Sequence, residues 1–141
     1  MTVGEVKTEL QKVRQARKAY RLAKDRADDF EQTIMCGKAV RYGGSGESHE
    51  RRGNPVENAY CSLVDYKSEA DALLKEMIGA RKRAEKLIAS IPEPTQKEVL
   101  TRRYIIGEKW EEIAENMNYS RRRITQLHGI ALKNISLNFP F

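Results

Sequence analysis

The chain has 141 residues, 33% of them charged, with a formal net charge of +6. That length holds one ordinary domain, or a small domain with a long helical appendage, and argues against two full domains. The positive balance permits an anionic partner without naming one, while the N-terminal MTVGEVKTEL lacks the apolar core of a signal peptide and no run approaches the ~20 apolar residues of a membrane span, so the chain reads as cytoplasmic.

From Val3 to Ile34 the apolar residues Val3, Val6, Leu10, Val13, Ala16, Tyr20, Ala23, Ala27, Phe30 and Ile34 recur at spacings of three and four, which predicts one long amphipathic helix. Its many lysines and arginines are interleaved with acids over several faces, the pattern of a solvated surface. Residues 37–55, GKAVRYGGSGESHERRGNP, carry five glycines and a proline without any period and predict a loop. Helical spacing resumes at Val56, Tyr60, Leu63, Tyr66, Ala70, Leu73, Met77, Ala80, Ala84, Leu87 and Ile91 and ends at Pro92 and Pro94. Neither helix can bury its stripe alone, so the expected arrangement for residues 1–91 is an antiparallel helical hairpin or coiled coil, with homodimerisation through the same stripes as the competing solution.

Residues 92–141 read as a second, small all-α domain. Pro94 suits the first turn of a helix that runs to Ile105 or Ile106 with Val99, Leu100 and Tyr104 inward, and Gly107 stops it. A helix over Glu108–Met117 and another over Arg121–Ile135 follow, and Leu137, Phe139 and Phe141 of the tail are expected to pack back. Charge separates sharply here. Residues 108–115 hold Glu108, Glu111, Glu112 and Glu115 against Lys109, whereas residues 120–141 hold Arg121, Arg122, Arg123 and Lys133 and no acid.

The stretch WEEIAENMNYSRRRITQLHGIALKNI (110–135) carries the offsets of a helix-turn-helix. Ala114 is small enough for the helix crossing, beside an inward Ile113, and Met117 closes the first helix. Asn118 tolerates a left-handed turn, Tyr119 is expected to point inward, and Ser120 can cap the second helix. Ile124, Leu127, Ala131, Leu132 and Ile135 form the inward stripe. That leaves Arg121, Arg122, Thr125, Gln126 and Gly129 outward, with Arg123 and His128 on the flanks. Arginine can bond guanine and glutamine adenine through two hydrogen bonds, and the threonine methyl can meet that of thymine. The candidate DNA-binding residues are therefore Ser120, Arg121, Arg122, Arg123, Thr125, Gln126 and His128. The four glutamates before them are expected to face away, toward Arg102 and Arg103, a protein partner or simply water.

No Gly-rich phosphate loop, nucleophile with an adjacent base or carboxylate constellation suggests an enzyme. Cys36 and Cys61 stand too far apart, with His49 and His128 off ligand spacing, for a zinc module, so neither a metal nor another cofactor is expected.

Residues 92–135, PEPTQKEVLTRRYIIGEKWEEIAENMNYSRRRITQLHGIALKNI, resemble region 4 of bacterial primary sigma factors, through the Pro-rich lead-in, the helix ending Arg-Tyr-Ile-Ile-Gly, Glu-Ile-Ala before the turn, Ser-Arg-Arg-Arg-Ile-Thr-Gln after it, and Ala-Leu-Lys. Together with the long helical first half, the chain is similar to the RinA- and ArpU-like late-transcription activators of phages and prophages. The resemblance implies a sequence-specific transcription activator in a bacterial host cell, binding double-stranded DNA, with a contact to the flap of RNA polymerase. It places promoter-reading positions at Arg121, Arg122, Thr125 and Gln126. Arg122 stands where sigma factors usually have an acid and Thr125 where they have an arginine, so the docking carries over and the sequence read does not. Two other functions fit a helix-turn-helix with long helices: a small terminase subunit for DNA packaging, and a sigma-like module that binds polymerase without reading DNA.

Overall fold

The computed structural model describes residues 1–36 and 55–140, and the predicted loop at 37–55, apart from Pro55, lies outside them, as does Phe141. Among the described residues the fold is all-α, without strands: α1 (Val3–Met35), α2 (Pro55–Ala89), α3 (Pro94–Leu100), a π-helical segment (Thr101–Ile106), α4 (Trp110–Met117) and α5 (Arg121–Asn138). Two compact units form. One combines Met1–Arg17 with Glu76–Phe141 and the other is Lys18–Lys75.

In the second unit the two long helices pair antiparallel, because rising positions on one meet falling positions on the other. Ile34 clusters with Ala59 and Leu63, Phe30 meets Tyr66 edge-on at 5.1 Å, Glu31 accepts from Lys67 at 3.2 Å, and Arg26 lies 3.9 Å from Glu69. The ion pairs are half exposed and each contributes at most about 1 kcal/mol. Burial of Ala23, Ala27 and Ala70 supplies a seam of small residues. Tyr60, expected on the buried stripe, is 49% exposed, its place being taken by Ala59 one position earlier.

In the first unit, α1 starts with a reciprocal capping box. The Glu5 amide donates to Thr2 Oγ1 at 3.2 Å and the Thr2 amide to Glu5 Oε2 at 2.7 Å. Val6, Leu10 and Val13 then join Ala80, Ala84, Leu87 and Ile91 of the second long stripe, Ile88 beside them, Leu100, Tyr104 and Ile105, and Ala131, Leu132 and Ile135 of α5 in one core cluster. The first turns of α1 and the last of α2 thus share a core with the C-terminal helices. Truncating a fully buried member such as Leu10 to alanine costs about 2–5 kcal/mol. Phe139 packs back on this cluster beside Met1 as expected, whereas Leu137 is 71% exposed, since α5 runs on through Asn138 and turns it away.

Pro94 opens α3 at its first position, after Glu93 in extended conformation. The expected regular helix to Ile106 instead widens into a π-turn after Leu100. Gly107 makes the difference: at φ 91 it lets its own amide and that of Glu108 fold back on the Arg102 carbonyl, at 3.0 and 2.9 Å. The last carbonyls are satisfied from α1, where the Arg17 guanidinium donates to Ile105 O and, at 2.5 Å, to Ile106 O.

A Cβ on residue 107 would lie 2.5 Å from Arg17 Nη1 in a left-handed backbone. Gly107→Ala is expected to lower stability by at least roughly 1–2 kcal/mol in urea denaturation. Combined with Arg17→Ala it should cost less than the two changes summed, because both break the same contact.

Candidate nucleic-acid interface

The helix-turn-helix is held by a run of local hydrogen bonds. Asn118 takes the left-handed conformation at φ 56, so that its amide bonds Glu115 O at 3.3 Å and the Tyr119 amide bonds Ala114 O at 3.0 Å, a complete Schellman closure of α4. Ser120, extended at φ −69 and ψ 154, accepts from the Arg123 amide at 3.1 Å and caps α5. Glu112 Oε2 accepts from the Lys109 amide at 3.3 Å at the start of α4. Below the turn, Val99, Ile113, Ile124 and Leu127 form a second buried cluster, with Trp110, Ala114 and Met117 packed on it. Tyr119 does not point inward. It is 42% exposed, because the cluster is already filled and the left-handed residue before it turns the chain outward.

The inner face of α5 is Ile124, Leu127, His128, Ala131, Leu132 and Ile135. His128, expected on the flank, therefore lies on the buried face. Its Nε2 lies 2.8 Å from the Tyr104 hydroxyl, its ring stacks on Tyr104 at 5.8 Å and meets Trp110 edge-on at 4.8 Å, and the Arg103 guanidinium sits 4.4 Å over Trp110. Position 128 is four residues from both Ile124 and Leu132, so helical spacing alone places it inside.

The remaining candidates stay exposed: Ser120, Arg121, Arg122, Arg123, Thr125 and Gln126. They are not equivalent. Arg121 Nη1 pairs with Glu111 at 3.2 Å across the two helices, and the Thr125 hydroxyl donates to Arg121 O at 3.0 Å, leaving its methyl free to face a partner. Arg122, Arg123 and Lys133 form no ion pair among the described residues. At 100° per residue, Arg122, Gln126, Gly129 and Lys133 fall on one line opposite the buried stripe. Lys133 was outside the predicted set, although its place seven residues after Gln126 signals it.

The acids are sorted individually. Glu108 turns inward, where one carboxylate oxygen accepts from Arg102 Nη1 and Asn116 Nδ2, both at 3.1 Å, as expected for Arg102. Glu111 instead faces the basic helix. Arg121, held by an exposed ion pair, and Arg122, Arg123, Gln126 and Lys133 put five cationic and amide side chains on a capped helix, and together they can donate to phosphates and base edges.

Residues 93–136 match the profile of the family described as Sigma-70, region 4. Domains of this family are DNA-binding regulatory helix-turn-helix domains that bind DNA and RNA polymerase. The matched segment runs from the N-cap of α3 into the last turn of α5, less than a third of the chain. No curated protein and no solved structure matches the chain. Among the described residues there is no cluster of three or more potential metal ligands, and no helix is long and apolar enough to cross a membrane.

Burial, followed by the charges of Lys7 and Arg103, pulls the His128 pKa down from 6.5 to about 4. The unfolded chain takes up this proton below about pH 6.5, the folded protein only below about pH 4. Stability should hold above that window and fall as pH drops through it, by up to about 1.4 kcal/mol per pH unit. Denaturant titrations from pH 7 to 4 should show this acid limb, and His128→Gln should flatten it.

Proposed function

We propose that the protein is a sequence-specific DNA-binding transcription regulator, an activator of phage or prophage genes in the bacterial cytoplasm, that reads the major groove with α5. The observation that carries this reading is the outward line of Arg122, Gln126 and Lys133. These are donor-bearing side chains without an ion pair among the described residues, on a helix that carries no acid and is capped and locked by the turn before it. Long arginine and glutamine side chains in the first two turns suit base edges, and Lys133, two turns further, suits a phosphate. Arg123 on the flank suits a second phosphate. The domain match supports the class of activity, and also a contact with RNA polymerase, which would make bound DNA a site of activation. The compact helical unit Lys18–Lys75 is left for partner contact or homodimerisation, with Tyr60 and Val64 exposed one turn apart on α2.

Selection of bound duplexes from random DNA, with a footprint on the winner, tests the reading. Arg122→Ala and Gln126→Ala should each cost about 1–3 kcal/mol and relax preference at one base position. Lys133→Ala should weaken all duplexes alike and lower the salt slope by about one. Glu111→Gln should tighten binding by up to about 1 kcal/mol by freeing Arg121. Unchanged affinity in both Arg122→Ala and Gln126→Ala would sink direct readout in favour of a module that binds polymerase alone. A closed ring of many subunits in a solution mass measurement would favour a small terminase subunit, and a palindromic footprint a dimer.

A further inference from the structure

Gly129 stands in the interior of α5 without a reason supplied by the fold. Glycine weakens a helix interior relative to alanine, because it has more backbone freedom to lose. A fold requires glycine where φ is positive or where a neighbouring element leaves no room for a Cβ. Gly107 meets both conditions. Gly129 meets neither: Gly107 is the one glycine with positive φ among the described residues, and a Cβ on residue 129 would have nothing within 4 Å. Among the described residues the space over it is open, and it lies on the outward line, three residues beyond Gln126 and four before Lys133.

Resting on the DNA-reading role proposed above, we infer that Gly129 is a DNA-binding position through its missing side chain, its bare backbone taking the sugar–phosphate wall of the groove in direct contact. The helix passes from base-reading groups to a phosphate-reaching lysine within two turns, so a DNA strand must cross the line between Gln126 and Lys133. Residue 129 is where it crosses. A side chain there would lift this part of α5 from the groove and draw Gln126 and Lys133 back with it. Since the wall is sugar and phosphate, the contact is independent of base sequence.

The test compares the wild type, Gly129→Ala and Gly129→Leu in thermal unfolding and in binding to the duplex that the wild type selects and to a scrambled duplex, at one salt concentration. Both variants should unfold at higher temperature, as better helix formers at an open position. Affinity should nevertheless fall roughly tenfold for Ala and further for Leu, on both duplexes. Wild-type binding with unchanged or tighter binding by Gly129→Leu overturns this inference and leaves the proposed function standing. A loss confined to the selected duplex also overturns it, by moving the contact to the bases. A wild type that selects no duplex overturns the proposed function and this inference together.

Discussion

The rest of the C-terminal structure depends on the inner face of α5, which closes two cores at once. Ile124 and Leu127 complete the cluster under the helix-turn-helix, while Ala131, Leu132 and Ile135 complete the larger one shared with the ends of α1 and α2. His128 stands between them, tied to Tyr104 and against Trp110. A helix buried along this length cannot rotate without emptying both clusters, each emptied aliphatic position costing several kcal/mol. Rotation is the degree of freedom that would carry Arg122 and Gln126 out of register with a groove. The buried histidine, held neutral by its surroundings, keeps a charge out of the joint between the cores.

Local chemistry then sets where α5 begins. Asn118 supplies the left-handed residue and Ser120 the cap, so the first exposed arginines leave the helix at a defined point. On the other side of α4, Gly107 and Arg17 hold the end of the π-helical segment, with the guanidinium of a residue some ninety positions distant satisfying its last carbonyls. Charge is arranged at the same fine scale. The net +6 is spread over the chain, and what distinguishes α5 is that it carries no acid and that most of its cations form no ion pair among the described residues. Glu111 is the exception that singles out Arg121. Phosphate binding by α5 would therefore compete with an internal carboxylate at one arginine and with water at the others.

Features written in short-range rules were legible in the residues alone. Spacings of three and four foretold the long helices, Pro94 the start of α3, and Gly107, Asn118 and Ser120 the stops, the left-handed turn and the cap, because each obeys a constraint set within a few residues. The antiparallel pairing followed from two apolar stripes that had to cover each other. The exposed set from Ser120 to Gln126 followed from the same helical period.

Where several elements compete for the same space, residue type misled. His128 was expected on the flank of the outward face, yet Tyr104 and Trp110, brought over it by other helices, make a buried site that an imidazole can fill with its polar atom bonded. Tyr119 looked like core, but Met117 and Trp110 had already filled the space. The π-turn after Leu100 and the Glu111–Arg121 pair were not signalled by helical spacing, because the first depends on how the backbone closes at Gly107 and the second on how two side chains of adjacent helices meet. Helical period and capping chemistry are properties of the chain within one or two turns, and they set which helices form and which face each turns outward. Which polar side chains are buried, paired or left open depends on distances between segments far apart in the chain, and these exist only once the two cores have closed.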